Sequence, residues 1–190
     1  MSERPFVSIV IPTYNVEKYI SKTLNSLKIQ SYKNFEVIIV DGGSSDNTKK
    51  VVMKELKETK LFWKIIEEKH SGVSTARNAG IRMARGKYIY FLDGDDYIDS
   101  NLIKTLYLKI NKYKNLDIIF FGYDTVLPTG KKIKRYVPDD THIPINGKKV
   151  LKNFLSGNIH LLGCLLYTSD AADDMQCVDL GVRRIIKKKK

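Results

Sequence analysis

The chain has 190 residues, 43% of them hydrophobic, and a formal net charge of +12. That length permits one α/β domain with a proper core, while no apolar run reaches the roughly 18 residues that a bilayer-spanning helix needs. The start of the chain lacks the pattern of a secretory signal peptide, and the basic balance suits anionic partners, with no nucleic-acid-binding motif beside it.

Phe6 to Ile11 is an apolar, β-branched run ahead of Pro12 and reads as a buried strand that the proline stops. Thr13, Tyr14 and Asn15 follow in a strand-to-helix loop. Ile20, Leu24, Leu27 and Ile29 then fall at helical spacing over 17–29. A second buried strand, Phe35 to Val40, runs into Asp41-Gly42-Gly43-Ser44-Ser45-Asp46. The glycines there permit a tight turn, and Ser45 or Asp46 can cap a helix that starts near Asn47. Leu61 to Ile66 is predicted as a third strand, Ser74 to Arg85 as a helix and Lys87 to Leu92 as a fourth strand.

That fourth strand ends in Asp93-Gly94-Asp95-Asp96, three carboxylates in four residues. Such a cluster repels itself unless a cation or a set of donors neutralises it. Oxygen-only ligands suit Mg²⁺ or Mn²⁺, ions that commonly hold substrate phosphates. The plainer reading is a solvated Asp-rich turn. Strands alternating with helices on short connections argue for a parallel sheet with helices on both faces. Open sheets of this kind bind ligands at the C-terminal ends of their strands. Thr13, Asp41 and the group Asp93, Asp95 and Asp96 all stand at such ends.

The segments VSIVIPTYNVEKYISKTLNSL, FEVIIVDGGSSDNT and SGVSTARNAGIRMARGKYIYFLDGDD together resemble family 2 glycosyltransferases of the GT-A fold. The resemblance runs from about Val7 to about Tyr123. It implies a Rossmann-like, open, mostly parallel α/β sheet and inverting transfer of a sugar from a nucleotide diphosphate. Position by position, Thr13 matches a residue at the base and ribose, and Asp41 matches the carboxylate that accepts the uracil N–H. Arg77 matches a basic residue beside the phosphates, Asp93 the ribose-side acid of the DxD motif and Asp95 the metal ligand. Asp96 supports that loop. The family more often carries two acids where this chain has Asp41-Gly42, which removes one polar contact.

The implied donor is a UDP-sugar, assisted by Mg²⁺ or Mn²⁺. The implied acceptor is a cell-surface glycan or a lipid-linked diphosphate. The implied location is cytoplasmic, with peripheral contact to the anionic inner membrane face. Simpler roles stand beside each assignment: Thr13 as a helix cap, Asp41 as an Asx-turn residue, Arg77 as a surface helix residue and His70 as a solvated loop residue. A non-catalytic nucleotide-binding fragment is the alternative function. A nucleotidyltransferase would carry a Gly-rich basic loop after the first strand, where this chain has Pro12-Thr13-Tyr14-Asn15.

Further on, a helix is predicted over Leu102 to Ile110, a strand over Asp117 to Phe121, a hairpin over Asp124 to Val137 and a short helix over Lys148 to Leu155. From Cys164 the character changes. Residues 164–190, including CLLYTSDAAD and VDLGVRRII with four lysines, resemble a translated sequencing adapter. The expected division is therefore a C-terminally incomplete GT-A domain over 1–163 and a non-native tail over 164–190 that lacks fixed packing. Both cysteines fall in that tail, and without it the formal net charge is +10. An inverting enzyme needs a general base for the acceptor hydroxyl. No residue before 164 is assigned to it.

Overall fold

A computed structural model describes residues 4–68, 72–113, 116, 118–121, 123–127, 131–136 and 164–168. The chain alternates β1 (Val7–Thr13), α1 (Glu17–Lys28), β2 (Phe35–Asp41), α2 (Thr48–Lys57), β3 (Phe62–Glu67), α3 (Gly72–Met83), β4 (Tyr88–Phe91) and α4 (Leu102–Lys112). After these come β5 (Ile118–Phe121), β6 (Tyr123–Val126), β7 (Lys132–Tyr136) and β8 (Cys164–Thr168). Contacts divide the chain into two compact units. One is Met1–Ile118 with Leu166–Val178, and the other is Ile119–Leu165 with Asp179–Lys190.

The main sheet has the order β3-β2-β1-β4-β8-β5. β1 pairs in parallel with both β2 and β4, and β2 pairs in parallel with β3. Every residue of β2 is buried, as are all but one of β1. Burial on both faces explains why these strands read as continuous apolar runs rather than alternating ones. Val10, Ile38, Val40 and Ile89 point to one face, where Ala76 and Ala79 of α3 cover them. A Cβ on Gly80 would lie 2.2 Å from Val10 Cγ1, so α3 sits against β1 at a distance only glycine permits. On the opposite face, Tyr88 and Phe6 form a ring cluster with Tyr107 of α4, with centroids 5.4 and 5.2 Å from that of Phe6. Helices therefore cover both faces, as expected for GT-A.

At the N-terminal edge of the sheet, the fully buried Glu36 accepts hydrogen bonds from the Ser8 hydroxyl (2.6 Å), the Arg85 amide (2.6 Å) and Arg85 Nε (3.3 Å). The same Ser8 hydroxyl accepts from the Gly86 amide at 2.8 Å. This cluster pins the turn between α3 and β4 beneath β1 and β2.

Pro12 does not end the first strand. β1 continues to Thr13, with Pro12 opposite Val40. The Val10 carbonyl accepts from the Leu92 amide, on the β4 side. Strand alternation then turns Pro12 toward β4 as well, past the last β1–β4 pair at Val10 and Phe91. The missing N–H costs nothing there.

In the second unit, β6 and β7 form the expected hairpin, antiparallel and offset by an irregularity at Tyr123 and Asp124. The helix predicted over Lys148 to Leu155 lies outside the described residues. β8 pairs antiparallel with β4, placing Tyr88 opposite Thr168 and Tyr90 opposite Leu166. The first five residues of the segment expected to lack packing therefore form a strand. The remainder, 169–190, lies outside the described residues.

Candidate nucleotide site

The parallel register sets Thr13 directly opposite Asp41 at the C-terminal ends of β1 and β2. β4 ends on the other side of β1, and its following turn closes with the Asp96 amide donating to the Asp93 carbonyl at 3.0 Å. Gly94 is wedged inward. A Cβ there would stand 3.1 Å from Val16 Cγ2 and 3.3 Å from Thr13 Cγ2, and its carbonyl accepts from the Thr23 hydroxyl of α1 at 2.9 Å. Thr13 thus sits between Asp41 and the DxD turn, and the three strand ends meet at one edge.

α3 contributes Arg77. Its Nη2 donates to Asp93 Oδ1 at 3.1 Å, and its side chain is only 14% exposed against 25% for Asp93. Its guanidinium carbon also stands 5.7 Å from the ring centroid of Phe91. The buried Arg77 Nε has no hydrogen-bond partner among the described residues. The Arg77 side chain as a whole keeps 14% exposure at this edge, and its guanidinium is suited to an anionic oxygen. Asp95 is exposed and Asp96 is buried. Among the described residues, no three His, Cys, Asp or Glu side chains are grouped to hold a metal ion by themselves. His70 lies outside the described residues.

Asp41 stands at the expected strand end, but its carboxylate faces inward and the residue is fully buried. Oδ2 accepts from the amides of Gly43 (3.1 Å) and Ser44 (2.9 Å). Oδ1 accepts from the hydroxyls of Ser44 (2.6 Å) and Thr13 (3.2 Å). The amide bonds are those of the Asx-turn reading, and Gly43 supports the turn at φ 84°. Gly42 is half-buried, and a Cβ built on it would make only ordinary contacts, the nearest at 3.5 Å.

Apart from Asp46, expected as a cap of α2, local pattern did not single out the residues that lock the two loops together. Asn15 sits at φ 51°, and its Oδ1 faces the amides of Ser45 (2.9 Å) and Asp46 (3.3 Å) and the hydroxyl of Ser45 (3.3 Å). Its amide donates to Ser44 Oγ at 3.0 Å. Asp46 accepts the Glu17 amide at the start of α1 through Oδ2, at 3.1 Å. Through Oδ1 it accepts the amide and hydroxyl of Thr48, at 2.9 and 2.5 Å. Glu17 returns the bond by accepting the Asn47 amide at 3.1 Å. The start of α1 is thus capped from the loop before α2, while Asp46 caps α2 from that helix's own loop, as expected, and Glu17 of α1 adds a bond to the Asn47 amide. Burial alone would push the Asp46 carboxyl up. The bonds from the Thr48 hydroxyl and the Thr48 and Glu17 amides outweigh it and hold the carboxyl below the usual carboxylate range.

The pattern of the family described as glycosyl transferase family 2 matches residues 8–166. The chain belongs to that family. It is 37% identical over 164 residues to an uncharacterized glycosyltransferase of Rickettsia conorii, covering 84% of this chain and 26% of that protein. In structure it resembles S. aureus TarS 1-349 in complex with UDP-GlcNAc, with a TM-score of 0.71, 28% identity, and 88% of this chain and 46% of that one covered. The mannosyltransferase PcManGT of Pyrobaculum calidifontis, in complex with GDP-Man and Mn²⁺, has a TM-score of 0.55 at 25% identity, covering 63% of this chain and 36% of that one. The chain therefore spans less than half the length of each. No described helix is long and apolar enough to cross a membrane.

Proposed function

We propose that this chain binds a nucleoside-diphosphate sugar, with UDP as the nucleotide, and belongs to an enzyme that transfers the sugar with inversion. The acceptor would be a cell-surface glycan on a lipid carrier at the cytoplasmic face of a membrane. The observation that carries this reading is the partly exposed Arg77–Asp93 pair at the strand edge that holds Thr13 and Asp41. The likeness to TarS in complex with UDP-GlcNAc supports the choice of UDP.

In this reading Arg77 holds the diphosphate, Asp93 meets the ribose side, and Thr13 borders the base end, where the buried Asp41 stands behind it at the end of β2. Asp95, exposed on the DxD turn, is the ligand for Mg²⁺ or Mn²⁺. One carboxylate fits such an ion when the diphosphate supplies the other oxygens, and PcManGT with GDP-Man and Mn²⁺ is consistent with that. The ion, when bound, would neutralise charge growing on the leaving diphosphate. In the transfer, the bond from the anomeric carbon to the diphosphate oxygen breaks as the acceptor oxygen attacks from the opposite side. The acceptor proton passes to a base that is assigned to no residue here.

Calorimetry with UDP, with and without Mn²⁺, tests this. Binding should strengthen with Mn²⁺, and Asp95→Ala should remove that gain. Binding indifferent to both the ion and the substitution would remove Asp95 from the site.

A further inference from the structure

Asp41 presents an unusual arrangement for a residue that selects a base. A carboxylate offers about four acceptor positions. All four are engaged by this chain's own donors, the amides of Gly43 and Ser44 and the hydroxyls of Ser44 and Thr13. The residue is fully buried, at 0% exposure. A base N–H would have to displace one of these bonds and reach a group with no surface. The same bonds run outward through the loops. Ser44 Oγ donates to Asp41 Oδ1 and accepts the Asn15 amide. Asn15 Oδ1 in turn receives the amides of Ser45 and Asp46. A continuous chain of hydrogen bonds therefore links the end of β2 to the loop after β1.

We infer that Asp41 is a positioning residue: it anchors the 41–48 loop against the 13–17 loop, and it sets affinity for every nucleoside diphosphate alike without choosing among bases. This rests on the nucleotide-binding reading above and departs from the uracil contact that family resemblance implies. The chemistry gives a sharp contrast. In Asp41→Asn the amide oxygen can keep both backbone N–H groups, and the new NH₂ can donate to the two hydroxyls, which rotate to accept. An anchor survives that change. A base reader does not, because an NH₂ facing N3 repels the uracil N–H and favours the cytosine acceptor.

The test compares UDP, CDP and GDP by calorimetry in Mn²⁺, together with amide hydrogen exchange of the nucleotide-free protein. Asp41→Asn should leave the ranking of the three nucleotides unchanged, with affinities close to wild type. Asp41→Ala should weaken all three by one common factor, on the order of tenfold, and speed exchange at Gly43 and Ser44. Should Asp41→Ala fail to fold, Ser44→Ala and Asn15→Gly carry the same expectation. The glycine retains the positive φ of residue 15 and deletes only the acceptor. A shift of preference from UDP to CDP in Asp41→Asn would overturn the inference and leave the nucleotide site standing. If wild type binds none of the three, the functional reading fails instead. The exchange arm then decides the anchor alone, and unchanged protection at Gly43 and Ser44 in the alanine variant or at Ser45 in Asn15→Gly would overturn it.

Discussion

Arg77 illustrates how one side chain serves fold and site together. Its ion pair with Asp93 is half-buried, and the Nε donor remains over. Arg77→Ala should lose a charge-assisted contact to the diphosphate worth about 1.5–3 kcal/mol, which calorimetry would read as roughly a tenfold to hundredfold weaker UDP. Arg77→Lys should recover only part, because a point charge cannot reproduce the planar fork. Asp46 makes a pH-dependent contribution at the same scale. Its folded carboxyl lies below the ordinary 3.8, so the stability it adds is present above that value and is lost as pH falls below it. The gap in melting temperature between wild type and Asp46→Asn should accordingly be widest near neutral pH and close below about pH 4. A gap that does not narrow as pH falls from about 7 through about 4 and below would mean that the carboxylate's charge is not what the clasp uses.

At the scale of elements, α3 and the turn after it lie closer to β1 than any side chain would allow. The Cβ of Gly80→Ala would stand 2.2 Å from Val10 Cγ1, within a packed core. Overpacking of this kind costs about 1–3 kcal/mol, measurable as a lowered denaturation midpoint. Because the obstacle is a side chain, Val10→Ala in the same protein should return part of the loss, a coupling that a double-mutant cycle would detect. Gly86 provides the contrast. A Cβ there would lie 2.4 Å from the Ser8 backbone nitrogen, so no second-site truncation offers relief. Gly86→Ala should therefore destabilise more than Gly80→Ala and resist rescue.

For the whole molecule, we propose that native chain gives way to an adapter-like tail at about residue 163, near the end of the family match at 166. The strand Cys164–Thr168 pairs with the edge of β4. A sheet edge offers backbone donors and acceptors to any extended apolar segment, whatever its origin. Strand formation at 164–168 is therefore compatible with the proposed boundary after residue 163. Removing 169–190 should leave the melting temperature and UDP affinity unchanged, and a clear loss of either would show that the tail is part of the protein. Removing 164–190 should lower stability in addition, because it uncovers β4.

The order of the first four strands and four helices was legible in the sequence, because periodicity and turn residues are local properties of the chain. So were the strand ends that carry Thr13, Asp41 and Asp93, since an apolar run stopping at a polar residue is visible without a partner. The Asx turn at Asp41 was legible as the simpler reading, but the rest of its hydrogen bonding was not. Whether a carboxylate faces a ligand or its own loop depends on donors as far away in sequence as Thr13 and on the tether from Asn15, and only the parallel register brings these together. The run of β1 through Pro12 was hidden for a similar reason. A missing N–H matters only if a neighbouring strand stands opposite it, and the neighbour ends first. The cap of α2 at Asp46 is local and was legible, whereas α1 is capped from the loop before α2, so the sequence before α1 shows no cap at Val16. Local composition determined which elements form and in what order, whereas their hydrogen-bond partners were decided by tertiary structure, because a donor and an acceptor meet in space and not along the chain.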